Sequence, residues 1–258
     1  AAIVFNGTER QKQKYLPKYA SGEWVACFCL TEPEAGSDAA SLRTTARRDG
    51  EHYIINGTKR YITNAPVANT FNVMARTNPE IKGARGISSF IVERETPGLT
   101  LGSIDKKMGQ SGSMTCDVIF EDCKIPAENI IGEEGEGFIT AMKVLDRGRL
   151  HISGVSIGVA KRLIDDALAY GMQRKQFGQP IAEQQLIQAM LADSYTEAYA
   201  SETMTLDAAR RRDLGENITK ESSACKLFCT EMVGRVADRA VQIHGGAGYM
   251  SENAVERF

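Results

Sequence analysis

No apolar run in this chain approaches the roughly 20 residues that a bilayer-spanning helix requires, so no membrane insertion is expected. The opening AAIVFNGTERQKQKY lacks the h-region of a signal peptide, since its apolar run covers only Ala2 to Phe5. Surplus charge is missing too. With 31 basic against 33 acidic residues and a net charge of -2, neither a nucleic acid nor a membrane surface is an expected partner. None of the six cysteines (Cys27, Cys29, Cys116, Cys123, Cys225, Cys229) falls in a CxxC pair, and His52, His151 and His244 are far apart. A metal site or disulfide framework is therefore not expected, and a reducing interior is. Cys225 and Cys229, four apart on a predicted helix, read as small packing residues. There is no initiator Met, no internal repeat and no low-complexity segment; the start reads as processed or truncated.

What is present suits a folded, soluble protein of one large or two ordinary domains, with 258 residues, 42% hydrophobic and 25% charged. Thr8-Glu9-Arg10-Gln11 reads as a capping box opening a helix to about Ser21, with Gly22 as its stop. From Glu23 the pattern changes to strands. Asp49-Gly50, Asn56-Gly57 and Pro97-Gly98 read as turns, with strands at 71–77, 88–93 and 118–124. Without helical crossovers, this block predicts an antiparallel barrel or sandwich. Beyond Pro126 apolar residues recur at helical spacing, predicting long helices near 136–173, 182–213 and 217–244 that form most of a bundle. The fold class is α+β, all-β followed by all-α. Its expected domains are 1–22 (the end of a helical domain), 23–127 (β) and 128–258 (helical).

Several stretches admit both a chemical and a plain reading. Gly132-Glu-Glu-Gly135-Glu-Gly137 has the look of a phosphate loop, but its acids repel phosphate and no βαβ unit surrounds it, so it reads as a loop entering a helix. Gly154-Val-Ser156-Ile-Gly158 has the serine-hydrolase spacing, yet it falls in mid-helix rather than on a strand-to-helix turn. Asp146 and Arg149 are spaced to pair on a helix surface. Arg174 at a helix end either complements the helix dipole or clamps a pyrophosphate. The glycines after His244 form either a C-cap or a close approach for a ligand.

Two stretches suggest a flat polar ligand. Phe28 to Asp38, FCLTEPEAGSD, is an apolar strand ending in a small, acidic, Gly-bearing turn. Tyr61-Ile62-Thr63-Asn64 puts a ring and a hydroxyl on one strand face. A flavin wall and an ordinary half-buried sheet face both fit that pattern.

In order, LTEPEAGSD, YITN, VIFEDCKIP, GEEGEGF, LDRGR, QRKQFGQPI and QIHGGAGY resemble the acyl-CoA dehydrogenase family over nearly the whole chain. The resemblance implies an N-terminal helical domain, a middle β-domain and a C-terminal four-helix bundle, with this chain beginning at the end of the first and stopping within the third. It implies FAD as cofactor, bordered by Phe28, Cys29, Leu30, Thr31, Gly36 and Ser37 and by Tyr61, Ile62 and Thr63. Thr31 and Thr63 are the implied hydrogen-bonding residues at the isoalloxazine edge, and Tyr61 stands where the family often has tryptophan. Arg174, Gln176, Phe177 and Gln185, with Gln242, Ile243, His244, Gly245 and Gly246, are implied contacts to the FAD of a neighbouring subunit. That requires a homo-oligomer, usually a tetramer in the family.

Asp146, Arg147, Gly148 and Arg149, joined by Ser37, match the acyl-CoA segment. The implied reaction is α,β-dehydrogenation of an acyl-CoA thioester to a trans-2-enoyl-CoA, as in fatty acid β-oxidation, with an electron-transfer flavoprotein as acceptor. The family's glutamate base follows a V-E-R-x-x-R-D segment, and the chain stops at Val255-Glu-Arg-Phe258. A minority carry the base at the position of Gly148, which cannot abstract a proton. The catalytic base is thus expected beyond Phe258, with Glu252 and Glu256 as poor substitutes. An oxygen-using relative (acyl-CoA oxidase or flavin monooxygenase) and a silent acyl-CoA-binding scaffold are the alternatives. The implied location is cytoplasmic in a bacterium and the mitochondrial matrix in a eukaryote.

Overall fold

Thr8 starts the first long helix as its sequence predicts. In the computed structural model, which describes residues 1–258, Thr8 Oγ1 accepts the Gln11 amide at 3.2 Å and Gln11 Oε1 accepts the Thr8 amide at 3.0 Å. A short helix α1 (Ala2–Asn6) precedes this cap, and α2 runs Glu9–Ala20. Gly22 then takes φ +77°, where a side chain would be strained. Gln11 is buried because its Nε2 also donates to the carbonyls of Glu128 and Ile130, at 2.9 and 2.7 Å. Tyr15, buried one turn on, donates its hydroxyl to Glu93 Oε1 at 2.8 Å.

The strands are β1 (Ala26–Cys29), β2 (Thr45–Asp49), β3 (His52–Thr63), β4 (Thr70–Arg76), β5 (Ile87–Glu93), β6 (Leu99–Leu101) and β7 (Thr115–Pro126). They form one sheet in the order β1-β4-β2-β3-β7-β6, with β5 also paired to β4. Pairing is antiparallel in β2–β3, β3–β7, β4–β5 and β6–β7. Departing from the antiparallel expectation, β1 runs parallel to β4. β2 is parallel to β4 as well, so β1 and β2 run the same way, and the segment Leu30–Thr44 supplies the crossover between them that parallel strands need. Phe71, Phe90, Phe120, Ile55, Ile125 and Val118 fill the core against this sheet. Each such side chain contributes about 1.5–3 kcal/mol of burial.

Asp49-Gly50 is the expected turn, with Gly50 at φ +57°. Asn56-Gly57 is not a turn: β3 runs straight through it. Its register against β7 shifts there instead, and the extra residue lies in β7, where Asp122 takes φ +45°. The Asn56 side chain bridges the bulge, donating to Asp122 Oδ1 at 3.1 Å and accepting the Asp122 amide at 2.8 Å. Gly57 is required by crowding, since a Cβ would lie 2.5 Å from Thr44 Oγ1. A second shift falls between Lys59 and Ile62, with the extra residue in β3 and Tyr61 at φ +58°.

Ala1–Val144 and Leu145–Phe258 are separate compact units. The helices of the second region fall close to expectation: α3 (Gly137–Gln173), α4 (Gln185–Asp213) and α5 (Thr219–His244). Between α3 and α4 lies a small hairpin of β8 (Lys175–Gln176) and β9 (Gln179–Pro180). In the second unit Leu163, Ala167, Cys229, Met232, Val236 and Ala240 form a common core, and Cys225 is buried in a smaller cluster. Both cysteines thus pack, and all six cysteines are free and buried. No helix is long and apolar enough to cross a membrane.

The Gly132–Gly137 loop enters α3 as its acidic composition suggested, and its glycines permit close approach. A Cβ on Gly135 would lie 2.7 Å from the Arg85 carbonyl, and one on Gly137 2.2 Å from the Ser88 carbonyl carbon. Ser156 is mid-helix and buried, donating its hydroxyl to the Ile152 carbonyl at 2.9 Å. That leaves no exposed nucleophile there.

Candidate functional site

The edge of β4 explains where the Phe28–Asp38 stretch leaves the sheet. β5 takes one edge of β4 along its whole length. The other edge is shared by β1, over Thr70–Val73, and by β2, which touches only Arg76. The segment from Leu30 to Thr44 departs through the gap between them. It folds at once into a tight turn, with Glu32 N donating to Ala35 O at 3.0 Å and Ala35 N to Glu32 O at 3.2 Å.

A buried ion pair holds that turn to β3. Lys59 Nζ donates to Glu32 Oε1 at 2.7 Å and to the Leu30 carbonyl at 3.3 Å. The other acceptor capacity of Glu32 is filled by the amides of Arg43, at 2.6 Å, and Thr44, at 3.0 Å. Burial by itself would raise the Glu32 carboxyl, but the Lys59 ammonium and these N–H donors outweigh it and hold the carboxyl below its ordinary value. Burial pulls the Lys59 ammonium down, against the opposing pull of Glu32.

Beside this pair, the Thr31 carbonyl accepts the Arg60 amide at 2.8 Å, which brings Thr31 against the bulge that carries Tyr61. The Tyr61 ring is 62% exposed despite its size, and the Arg60 guanidinium lies 5.3 Å from its centroid. Ile62 points into the core, while Thr63 shares the exposed side with Tyr61, as the alternation predicted. Neither the Thr31 nor the Thr63 hydroxyl has a partner within the chain. Ring and hydroxyls fit a planar heterocycle with hydrogen-bonding edge atoms. Cys29 and Leu30 are buried and Phe28 half-buried, so they shape this wall from behind; Gly36 and Ser37 are exposed in the loop.

In the helical unit the remaining candidates form two groups. Arg174 and Gln176 are exposed at the β8–β9 hairpin, and Gln185 is the exposed first residue of α4. At the hairpin corner Phe177 (φ +53°) and Gly178 (φ +83°) both have left-handed backbone, and the Phe177 ring is 96% exposed. Tyr170, one turn before Arg174, stacks on His244 with centroids 4.3 Å apart. That stack brings the Arg174 region to the Gln242–Gly246 turn. His244 is itself buried, with Nδ1 2.8 Å from the Ala240 carbonyl. Ile243 is buried as well, while Gln242, Gly245 and Gly246 are exposed.

The second group is Asp146 to Arg149. Asp146 pairs with Arg149 on the helix surface, as their spacing suggested, and also accepts the Thr219 hydroxyl at 2.9 Å. Gly148 is exposed, and a Cβ there would meet nothing within 4 Å.

Sequence reasoning missed the Glu32–Lys59 pair. A signal existed: Lys59 falls in phase with Tyr53 and Ile55, the inward positions of β3. A lysine on the buried parity of a strand requires an acidic partner.

A β-sheet unit with an exposed ring and free hydroxyls at one edge, followed by long packed helices, defines a two-part α+β protein. The acyl-CoA dehydrogenase middle domain matches residues 27–123, and the acyl-CoA dehydrogenase C-terminal domain matches residues 135–258. Subunit CarC of the caffeyl-CoA reductase-Etf complex of Acetobacterium woodii is 44% identical over 99% of this chain and 67% of its own length. A probable acyl-CoA dehydrogenase of Bacillus subtilis, YngJ, is 45% identical over 99% of this chain and 67% of its own. The solved structure of butyryl-CoA dehydrogenase from Megasphaera elsdenii superposes with a TM-score of 0.96 at 40% identity, covering 99% of this chain and 67% of that one. The chain belongs to the acyl-CoA dehydrogenase family, whose cofactor is FAD. It spans about two thirds of the length of these relatives.

Proposed function

We propose that this chain binds FAD along the Thr31, Tyr61 and Thr63 wall and serves α,β-oxidoreduction of an acyl-CoA thioester. The observation that carries the reading is the exposed Tyr61 ring, held at φ +58° in a bulge beside the unpartnered Thr31 and Thr63 hydroxyls. An exposed ring on strained backbone is stabilising only when something covers it. Those hydroxyls would hydrogen-bond the edge of the isoalloxazine, and Ser37 would face the thioester side. FAD, when bound, supplies hydride acceptance from the β-carbon of the acyl chain. Asp146 is committed to Arg149 and Thr219, and Gly148 offers no carboxylate, so neither serves as the base.

The dehydrogenase direction gives a trans-2-enoyl-CoA. A reductase name such as that of CarC supports the reverse direction as a second reading, with the electron carrier setting which way the site runs. That protein's place in an Etf complex likewise supports an electron-transfer flavoprotein as partner here. Sharing of FAD between subunits is supported by α3. Asp146 and Tyr170 are separated along it by about 36 Å at 1.5 Å per residue, so the two candidate groups of one helical unit serve different sites. A bacterial cytoplasmic setting agrees with these relatives.

The deciding experiment is anaerobic titration of the flavin-loaded protein with a panel of acyl-CoA thioesters, reading loss of flavin absorbance. Bleaching by at least one thioester is expected, followed by slow reoxidation in air. Rapid reoxidation with peroxide would point instead to an oxygen-using relative, and no bleaching by any thioester would point to a silent scaffold.

A further inference from the structure

We infer that Glu32 and Lys59 are a positioning pair for the flavin: a buried clamp that fixes the Thr31 hydroxyl relative to Tyr61 and Thr63. This rests on the reading of that wall as the FAD site. Three separate segments converge on the clamp. Lys59 belongs to β3, two residues before Tyr61; the Leu30 carbonyl ends the β1 region; and the Arg43 and Thr44 amides close the far end of the loop. Backbone links join these segments in pairs, the Thr31 carbonyl to the Arg60 amide and Thr45 to Asn56 in the β2–β3 ladder, while the clamp reaches all three at once.

The carboxylate accepts one ammonium and two backbone N–H groups, with 6% of its side chain exposed against 0% for that of Lys59. For stability alone, an apolar pair of similar volume would serve as well in such a place. An apolar pair would not take up the Arg43 and Thr44 amides, and the Leu30–Thr44 loop would be left to its other attachments, among them the Thr31 carbonyl on Arg60 and the Ala40 and Leu42 carbonyls on Arg76. The specific contribution of the charges is therefore the placement of the loop, and with it of Thr31, whose carbonyl already holds the Arg60 amide at 2.8 Å.

The test compares the flavin-loaded protein with Glu32→Met/Lys59→Met, Glu32→Gln and Arg10→Ala, reading FAD dissociation, the visible flavin spectrum and thermal unfolding. The double variant leaves no orphan charge but leaves the Arg43 and Thr44 amides without their acceptor, so it is expected to fold with a modestly lowered unfolding temperature. Its FAD binding should weaken about tenfold or more, with the flavin spectrum shifted towards that of free flavin. Glu32→Gln, which retains one acceptor oxygen, should fall between, and decides alone should the double variant not fold. Arg10→Ala removes only an exposed pairing with Glu128 and should leave the flavin unchanged. Parent-like FAD affinity and spectrum in a folded clamp variant would overturn the inference. Tyr61→Ala and Thr63→Val separate this outcome from failure of the site itself: if they too leave FAD binding untouched, the wall is misassigned.

Discussion

His244 lies under the ring of Tyr170, centroids 4.3 Å apart and planes 25° from parallel, joining the end of α5 to the end of α3. The stack explains a buried histidine in a glycine-rich turn without any catalytic role. Tyr170→Leu keeps most of the volume and loses the aromatic contact. It is expected to lower the unfolding free energy by about 1 kcal/mol, measured by urea denaturation, with parent-like helix content by circular dichroism.

Two glycines of α3 should respond in opposite directions to the same substitution. At Gly148 a Cβ meets nothing within 4 Å, so Gly148→Ala should stabilise by about 0.5–1 kcal/mol through helix propensity. At Gly137 the new Cβ would press on the Ser88 backbone at 2.2 Å, and Gly137→Ala should cost about 1–3 kcal/mol. Thermal melts of the two variants against the parent check both signs.

Acid should unfold the β unit through its glutamates. Burial works to raise the Glu32 and Glu93 carboxyls, but Lys59 and backbone donors for the one, Lys14 and Tyr15 for the other, leave both below the ordinary 4.5. The unfolded chain therefore binds protons first. Their contribution is complete above pH 4.5 and is lost as the pH falls through the lower folded-state values. Urea unfolding at a series of pH values should show this loss, and a shallower one in Glu32→Gln.

Phe177 gives a test of assembly. A fully exposed ring on left-handed backbone contributes nothing to its own hairpin, so Phe177→Ser should leave the unfolding midpoint of the separated subunit within about 0.5 kcal/mol. The same change should weaken self-association and FAD retention, read by sedimentation velocity and by flavin released on gel filtration. Undiminished association would remove Phe177 from the interface.

The helices and the capping box were legible because they depend on neighbours in sequence: the apolar period of Leu163 and Ala167, the Thr8–Gln11 reciprocity. The shared exposed face of Tyr61 and Thr63 was legible for a similar reason, since they alternate with the buried Ile62. What escaped depends on partners remote in the chain. Asn56-Gly57 has turn chemistry, yet Asp122 and Thr44 turn it to a bulge. Parallel pairing of β1 and β2 with β4 depends on the Leu30–Thr44 crossing segment, and the Glu32–Lys59 pair spans 27 positions. Local spelling cannot reveal such contacts, although the parity of Lys59 was a trace of one.

The paired bulges of β3 and β7 carry one more consequence. Pairing is displaced by one residue over Gly57–Lys59 and regains its original frame from Ile62 onward. An extra residue in one strand is thus cancelled by an extra residue in the other, and the strand ends never feel the excursion. The stretch between the two bulges is turned out of frame locally, so the Tyr61 ring can be aimed outward while His52–Ile55 and Ile62–Thr63 keep a common frame against β7.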